Sequence, residues 1–329
     1  MKAERLASGQ YRVRVQVGGR RYSFTARTAE AAIRKAELKK AAYLLSGPAA
    51  GENEIVSDIL DRYINDRRGV LSPSTLRGYI GIRHTRFQDV MSQPYSRVNW
   101  QRAVSDEAET CSPKTLRNSW MLLCSAFNAA GLQKPRVTLP MVPKAERPYL
   151  DPQQINVFLG AIRGTDIELA ALLGLHSLRR SEILAVEKQD VDLTAGIIHV
   201  HGAIVAAPDG GYVKKKANKT DKSDRRVPIL FPRLSELVEA APAGRLVQVH
   251  PNAIYSAVNT ICRNAGLPEI GAHGLRHSMA SACYAAKIPE RVAMRWGGWS
   301  DIQTMHRIYT HISEHEVDKY AEQLRDFLK

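Results

Sequence analysis

His273-Gly274-Leu275-Arg276-His277 is the stretch on which the reading of this chain turns. Residues three apart share one face of a helix, so His273 and Arg276 emerge together while Leu275 points elsewhere. About thirty residues downstream comes Ile308-Tyr309-Thr310-His311. An isolated histidine or tyrosine is more often a packed residue than a reactive one. A histidine, an arginine and a tyrosine in one pocket are different, because the phenol can then act as a nucleophile on an anion held by the arginine.

Two words upstream add the same kind of chemistry. Leu178-Arg179-Arg180-Ser181-Glu182-Ile183-Leu184 sets Arg179 and Glu182 three apart, so the carboxylate can orient neighbouring groups or cap backbone donors; the plainer alternative is a surface ion pair. Lys219-Thr220-Asp221-Lys222-Ser223-Asp224-Arg225-Arg226-Val227-Pro228 falls in an expected hairpin turn, where a lysine ammonium can reach over a substrate and protonate a leaving oxygen. Lys214, Lys215, Lys216 and Lys222 crowd the same stretch, so charge alone does not single out Lys219. Metal-free cleavage of a phosphodiester takes a nucleophile, cations around the nonbridging oxygens and an acid for the leaving 5′ hydroxyl. Arginine suits the oxygens because its planar fork donates two parallel hydrogen bonds and stays charged, which makes Arg179 and Arg276 the candidates.

Composition points to a polyanionic partner. The 329 residues carry 47 Lys and Arg against 33 Asp and Glu, a formal net charge of +14. Neutralising phosphates with such cations releases counterions and drives binding. A membrane surface is the competing polyanion, yet no apolar run approaches the roughly 20 residues of a span. The basic, alternating N-terminus does not read as a secretory signal, so a soluble cytoplasmic protein is expected. Cys111, Cys124, Cys262 and Cys283 are far apart with no C-x-x-C pair, which predicts reduced structural thiols rather than a zinc site or a disulfide framework.

The length suggests two or three domains, and patterning divides the chain at two linkers. In 1–46, Tyr11, Val13, Val15 and Val17 alternate with Arg12, Arg14 and Gln16; Gly18-Gly19 is a two-residue turn; and Tyr22, Phe24 and Ala26 alternate with Arg21, Ser23, Thr25 and Arg27. Thr28 caps a following helix with Ala31, Ala32, Ala36 and Leu38 inside. The polar strand face, with Arg12, Arg14 and Arg21, can lie in a DNA groove; the alternative is a solvated ribbon. After the linker-like Ser46-Gly47-Pro48-Ala49-Ala50-Gly51, 53–140 reads as helices without strands. Ile55, Ile59, Leu60, Tyr63 and Ile64 form a stripe there, and Ser72-Pro73 and Ser112-Pro113 each supply an N-cap serine and a first-turn proline. Arg77, Arg83, Arg86, Lys114 and Arg117 lie near these helices and can hold phosphates, although any solvated bundle carries similar charges.

Pro140 to Pro148 is the second linker, and 148–329 forms the last segment. A helical region from Asp151 through Leu184 is followed by strand-like runs around Ile197 to Val205 and Tyr212 to Ile229, and then by helices to the end. Ser313 with Glu316 makes a capping box for a final helix whose stripe is Val317, Tyr320, Ala321, Leu324 and Leu328, to be buried on its own domain or on a neighbouring protomer. The expected fold class is multidomain and mainly α with small β elements.

Taken in order, Arg179-x-x-Glu182, Lys219-Thr220-x-x-Ser223-x-Arg225-x-Val227-Pro228, His273-x-x-Arg276 and Tyr309 resemble the tyrosine recombinases, in particular phage and integrative-element integrases. The resemblance is firm over 148–329 and looser over the helical segment. It implies an arm-site DNA-binding domain over 1–46, built as a β-hairpin or three-stranded sheet plus helix. It further implies a helical, SAM-like core-binding domain over 53–140 and a mixed α+β catalytic domain over 148–329. Tyr309 would attack the scissile phosphate, giving a 3′-phosphotyrosyl link and a free 5′ hydroxyl. Arg179 and Arg276 would hold the nonbridging oxygens, Lys219 would be the general acid, and His273 would assist proton transfer at a phenol whose ordinary pKa is about 10.

Trp299, in Gly297-Gly298-Trp299-Ser300, falls where many members carry a second histidine, and its indole N–H can donate to the phosphate. Ser177 stands where glycine is common, and Gly274 where an aspartate often follows the histidine. The implied function is site-specific integration and excision of a phage or mobile element, independent of metal, cofactor and ATP. The implied partners are duplex DNA attachment sites, a homotetramer on DNA, and an excisionase or host DNA-bending protein in the bacterial cytoplasm, with no role for a membrane.

Three rivals are weighed against this. A metal-dependent nuclease or transposase draws on the i,i+4 pairs His273/His277 and His311/His315, but there is no H-E-x-x-H motif and the acids form no clear constellation. A type IB topoisomerase shares the pocket chemistry and differs in assembly. A non-catalytic DNA-binding regulator would tolerate loss of the Tyr309 hydroxyl.

Overall fold

The computed structural model describes residues 2–17, 20–46, 53–143, 148–215 and 224–299, with positions 302, 303, 325 and 328. It divides into two compact units, Met1–Pro143 and Lys144–Lys329. Among the described residues no helix is long and apolar enough to cross a membrane.

In the first unit, β1 (Glu4–Arg5), β2 (Tyr11–Val17) and β3 (Arg20–Ala26) form an antiparallel sheet in that order. Its register pairs Val13 with Phe24, Arg14 with Ser23 and Gln16 with Arg21, so apolar and polar residues separate onto opposite faces. Val13 is buried against Ala32 and Ala36 of helix α1 (Ala29–Ser46), where the small alanines let the helix approach the sheet closely. Thr28 Oγ1 accepts from the Ala31 amide at 3.3 Å, as an N-cap should. The Gly18-Gly19 turn lies outside the described residues.

Five further helices, α2 (Val56–Asn65), α3 (Pro73–Thr85), α4 (Gln88–Met91), α5 (Trp100–Thr110) and α6 (Pro113–Ala129), enclose a separate core in the same unit. Ser72 and Ser112 accept from the amides of Thr75 and Thr115 at 3.3 and 3.2 Å, and each is followed by its proline. The interior is aromatic: Trp100 lies 4.9 Å from Phe127 and 5.7 Å from Trp120 between ring centroids. Phe87 adopts a left-handed backbone, with φ at 55°, which a bulky side chain resists. Glu107 holds it there, accepting from the Phe87 amide at 2.6 Å while its other oxygen accepts from Arg86 at 3.2 Å.

The second unit opens with α7 (Pro152–Ile162), started by a reciprocal capping box between Asp151 and Gln154. The expected helical run from Asp151 to Leu184 is three helices, because the chain breaks near Gly164, whose φ is +76°, and turns again after α8 (Glu168–Leu175) before α9 (Arg180–Ile183). The two strand-like runs resolve into more pieces than their composition suggested. β4 (Val191–Asp192), β5 (Ile197–Val200) and β8 (Arg225–Pro228) form one antiparallel sheet, and β6 (Ala203–Ala206) and β7 (Tyr212–Lys215) form a hairpin.

Helices α10 (Pro232–Ala240), α11 (Pro251–Asn264), α12 (Gly271–Ala285) and α13 (Glu290–Gly297) complete the unit. Helix α12 runs tight against α8: a Cβ on Gly174 would come within 2.7 Å of Leu275 Cδ1, so the glycine makes room for the fully buried leucine. That docking fixes which way the rest of α12 faces. Ser313, Glu316, Val317, Tyr320, Ala321 and Leu324, the cap and stripe expected of a terminal helix, lie outside the described residues.

Candidate active site

The site begins where α8 ends. His176 is fully buried; its Nδ1 donates to the Leu172 carbonyl at 2.7 Å and its Nε2 accepts from the Leu230 amide at 2.9 Å. Burial pushes its pKa down to about 4, so the ring is a neutral structural bridge between helix and sheet. Next comes Ser177 with φ at +68°, the left-handed region in which a side chain is strained and glycine is at ease. A glycine would occupy this turn without that strain.

Arg179 stands at the N-cap of α9 and Glu182 at its third position. The buried Glu182 carboxylate accepts from the Arg179 backbone amide at 2.8 Å and from Arg179 Nη1 at 2.6 Å. Both roles foreseen for it, capping and orienting, are therefore present. Arg179 Nη2 donates to the carbonyl of Gly298 at 2.7 Å. Glu182 also receives the buried Arg225, Nη2 at 2.8 Å and Nη1 at 3.2 Å. Burial is the largest single influence on this carboxyl and would raise its pKa; the hydrogen bonds and charges of Arg225 and Arg179 together outweigh it and hold the pKa below the usual carboxylate range.

Arg276 projects from α12 and is only 2% exposed. Its Nη1 donates to the Ser177 carbonyl at 2.5 Å, and its guanidinium carbon lies 4.3 Å from the centroid of the Trp299 ring. Two glycines let that ring fold back: Gly298 ends α13 with φ at +63°, and a Cβ on Gly297 would sit 2.0 Å from the indole. Burial first, and then the charges of Arg179 and Arg225, push the Arg276 pKa down to about 9, against a smaller opposing effect of Glu182. The group keeps its proton at neutral pH. Two arginines at one site repel each other, and an anion between them relieves that repulsion.

His273 is exposed on the helix that carries Arg276, and its ring meets His277 edge-on with centroids 4.8 Å apart. Gly274 is closely packed: a Cβ there would meet Ile270 Cβ at 2.4 Å and the Pro148 carbonyl at 3.3 Å, so an aspartate at this place needs a different surround. Arg179, Arg276 and Trp299 are thus joined through Ser177, Glu182 and Gly298. Lys219 and Tyr309 lie outside the described residues.

Of the residues expected to contact DNA, Arg14 and Arg21 are exposed on the polar face of the N-terminal sheet, and Arg77, Lys114 and Arg117 are exposed on the helical core. Arg12 pairs with Glu4 at 2.9 Å, and Arg83 makes a two-pronged pair with Asp61 at 2.9 and 3.0 Å. Arg225, in the Lys219 to Pro228 stretch, belongs to the same site. The signal that could have found it is strand alternation, since in β8 Arg225 and Val227 are buried while Arg226 is exposed.

Known proteins resemble this chain in sequence and in fold. The integrase of Salmonella phage P22 is 25% identical over 167 residues, 48% of this chain and 41% of that protein, so the match spans less than half of the relative. The Tn1549 transposon integrase, solved in complex with transposon right end DNA, superposes with a TM-score of 0.66 at 18% identity, covering 82% of this chain and 100% of that one. A lambda integrase tetramer bound to a Holliday junction gives 0.52 at 14% identity, covering 91% and 95%. At these identities the two structures speak for a shared fold. The phage integrase family model matches residues 148–316, just over half of the chain and the whole of the described site, and the chain belongs to that family.

Proposed function

We propose that this chain is a site-specific DNA recombinase of the integrase type, cutting and rejoining duplex DNA through a 3′-phosphotyrosyl intermediate. The observation that carries the reading is that two arginines meet at one place: Arg276 donates to the Ser177 carbonyl under the Trp299 ring, and Arg179, two residues beyond Ser177, donates to the Gly298 carbonyl next to that tryptophan. Two forks with fixed positive charge suit the two nonbridging oxygens of one phosphate, and they stabilise the extra charge of a pentacoordinate transition state.

Tyr309 Oη attacks phosphorus, its proton passing to His273, and the bond to the 5′ oxygen breaks as Lys219 supplies that oxygen's proton. The phosphotyrosyl bond conserves the energy of the broken link, so rejoining needs no ATP. Residues 1–46, 53–140 and 148–329 serve as arm-site, core-binding and catalytic segments, and the working form is a homotetramer on two DNA sites in the bacterial cytoplasm. The family membership and the lambda tetramer's fold support this assembly.

The test uses end-labelled duplexes with a randomised core and a nick beside it. In such a duplex the short 5′-hydroxyl fragment diffuses away after cleavage, and the covalent link accumulates. Wild type should form a detergent-resistant adduct and Tyr309→Phe should bind equally but form none. Absence of any wild-type adduct sinks the reading in favour of a DNA-binding regulator. Strand cleavage that a chelator abolishes favours a metal nuclease. Relaxation of plasmids lacking the selected site, with no exchange between two selected sites, favours a topoisomerase.

A further inference from the structure

Every nitrogen of the Arg225 guanidinium is engaged, and the residue is 6% exposed. Nε donates to the Trp296 carbonyl at 2.8 Å, Nη1 to Glu182 Oε1 at 3.2 Å, and Nη2 to Glu182 Oε2 at 2.8 Å and to the Ser177 carbonyl at 3.4 Å. Two of these partners are shared with the phosphate-holding arginines. Glu182 also accepts from Arg179, and the Ser177 carbonyl also accepts from Arg276. The third, Trp296, lies in the helix end that carries Gly298, the acceptor of Arg179, and leads into Trp299. Gly298 admits the arginine physically, since a Cβ there would come within 3.1 Å of Arg225 Cδ and Nη1.

We propose that Arg225 is a positioning residue for DNA cleavage, acting as the resident counter-ion of Glu182 so that Arg179 and Arg276 remain free to turn toward phosphate. The inference rests on the recombinase reading above. A buried carboxylate requires compensation. With Arg225 in place, Glu182 needs only one arm of Arg179. Without it, Arg179 is the remaining cation on Glu182 among the described residues, both of its arms are drawn to the carboxylate, and the Ser177 carbonyl loses a donor that helps set the turn. All three nitrogens of Arg225 are bonded to protein groups, so the role assigned to it is positioning and not contact with the phosphate.

Single-turnover adduct formation on a saturating nicked duplex, selected by wild type from the randomised pool, tests this. Arg225→Met should slow the reaction about 100-fold, a loss typical of a misplaced charge-stabilising group, with DNA affinity within about twofold of wild type. Replacing the carboxylate as well, in Glu182→Gln/Arg225→Met, should recover at least about tenfold, because the unbalanced charge is gone while an acceptor remains for the Arg179 amide.

A rate for Arg225→Met within about threefold of wild type overturns the proposal. So does a slow Arg225→Met that Glu182→Gln does not improve, since that makes Arg225 a plain structural residue. If Arg225→Met loses its near-ultraviolet circular dichroism, Arg225→Lys carries the test: it keeps the counter-charge without the fork, so a loss of no more than about tenfold at unchanged affinity is expected, and a loss of about 100-fold with the circular dichroism intact overturns the idea. No adduct from wild type would refute the recombinase reading and this inference together, whereas a wild-type adduct with a fast Arg225→Met refutes this inference alone.

Discussion

The guanidinium carbon of Arg276 lies 4.3 Å from the ring centroid of Trp299, while its Nη1 donates to the Ser177 carbonyl at 2.5 Å. One face of a buried cation is thus covered by a π-system and one edge is pinned by a carbonyl. A histidine at the position of Trp299 would offer a titratable proton; the tryptophan offers a larger ring surface and an indole N–H.

Trp299→Ala should therefore slow adduct formation by about 30-fold, the equivalent of about 2 kcal/mol for a desolvated cation–π contact. Trp299→Phe keeps a weaker face and should cost only about threefold. Single-turnover rates on saturating nicked duplex decide the matter. If Phe and Ala fall equally, the indole N–H carries the effect and the ring face does not.

Ser177 holds a left-handed backbone, and its Oγ is buried without a hydrogen-bond partner among the described residues. Ser177→Gly removes about 1 kcal/mol of backbone strain and an unsatisfied hydroxyl, against up to about 1 kcal/mol of added freedom in the unfolded chain. The net expectation is a gain of about 1 kcal/mol, or a rise in melting temperature of about 3 °C. Ser177→Val should instead destabilise by more than about 2 kcal/mol. A thermal melt in which glycine lowers the midpoint would show that the hydroxyl is doing something for the fold.

Ser177 also shows what a sequence leaves implicit. A serine in place of a common glycine is visible in the chain, but the φ that gives it meaning is set by how α8 and α9 dock. Local signals did better: the two faces of β2 and β3 and the split between Leu275 and Arg276 follow from repeats of 2 and 3.6 residues, and the serine caps of α3 and α6 from the unpaired amides at a helix start. What escaped depends on contacts distant in sequence. His176 and His273 look alike in the chain, yet one is fully buried and the other exposed. Arg83 finds Asp61 across 22 positions, and Arg225 finds Glu182 across 43. Nothing near either arginine in the sequence marks its partner.

His176 supplies a pH dependence. Its folded pKa of about 4 lies below the ordinary 6.5, so between these values the unfolded chain binds the proton and the folded protein does not. Stability is complete above about pH 6.5 and falls as the pH drops toward 4, with a loss of about 2 kcal/mol by pH 5. His176→Gln can still donate to Leu172 and accept from Leu230 but does not titrate. Urea unfolding at pH 7.5 and pH 5 should show wild type losing more stability than the variant. An equal loss in both would assign the acid sensitivity to the carboxylates.

The N-terminal sheet gives the last prediction, because its arginines are not equivalent. Arg14 and Arg21 are exposed on the polar face, whereas Arg12, on the same face, is paired with Glu4. A free guanidinium that meets a phosphate releases a counterion on binding; one already paired must first give up its carboxylate. Arg14→Ala and Arg21→Ala should each flatten the slope of log affinity against log salt by about 1 on arm-containing duplex, uniformly across sequences, while Arg12→Ala changes it less. Titrations from about 50 to 200 mM salt resolve slopes of that size. If all three variants keep the wild-type slope, the sheet face is a solvated ribbon and the arm-site role falls to other residues.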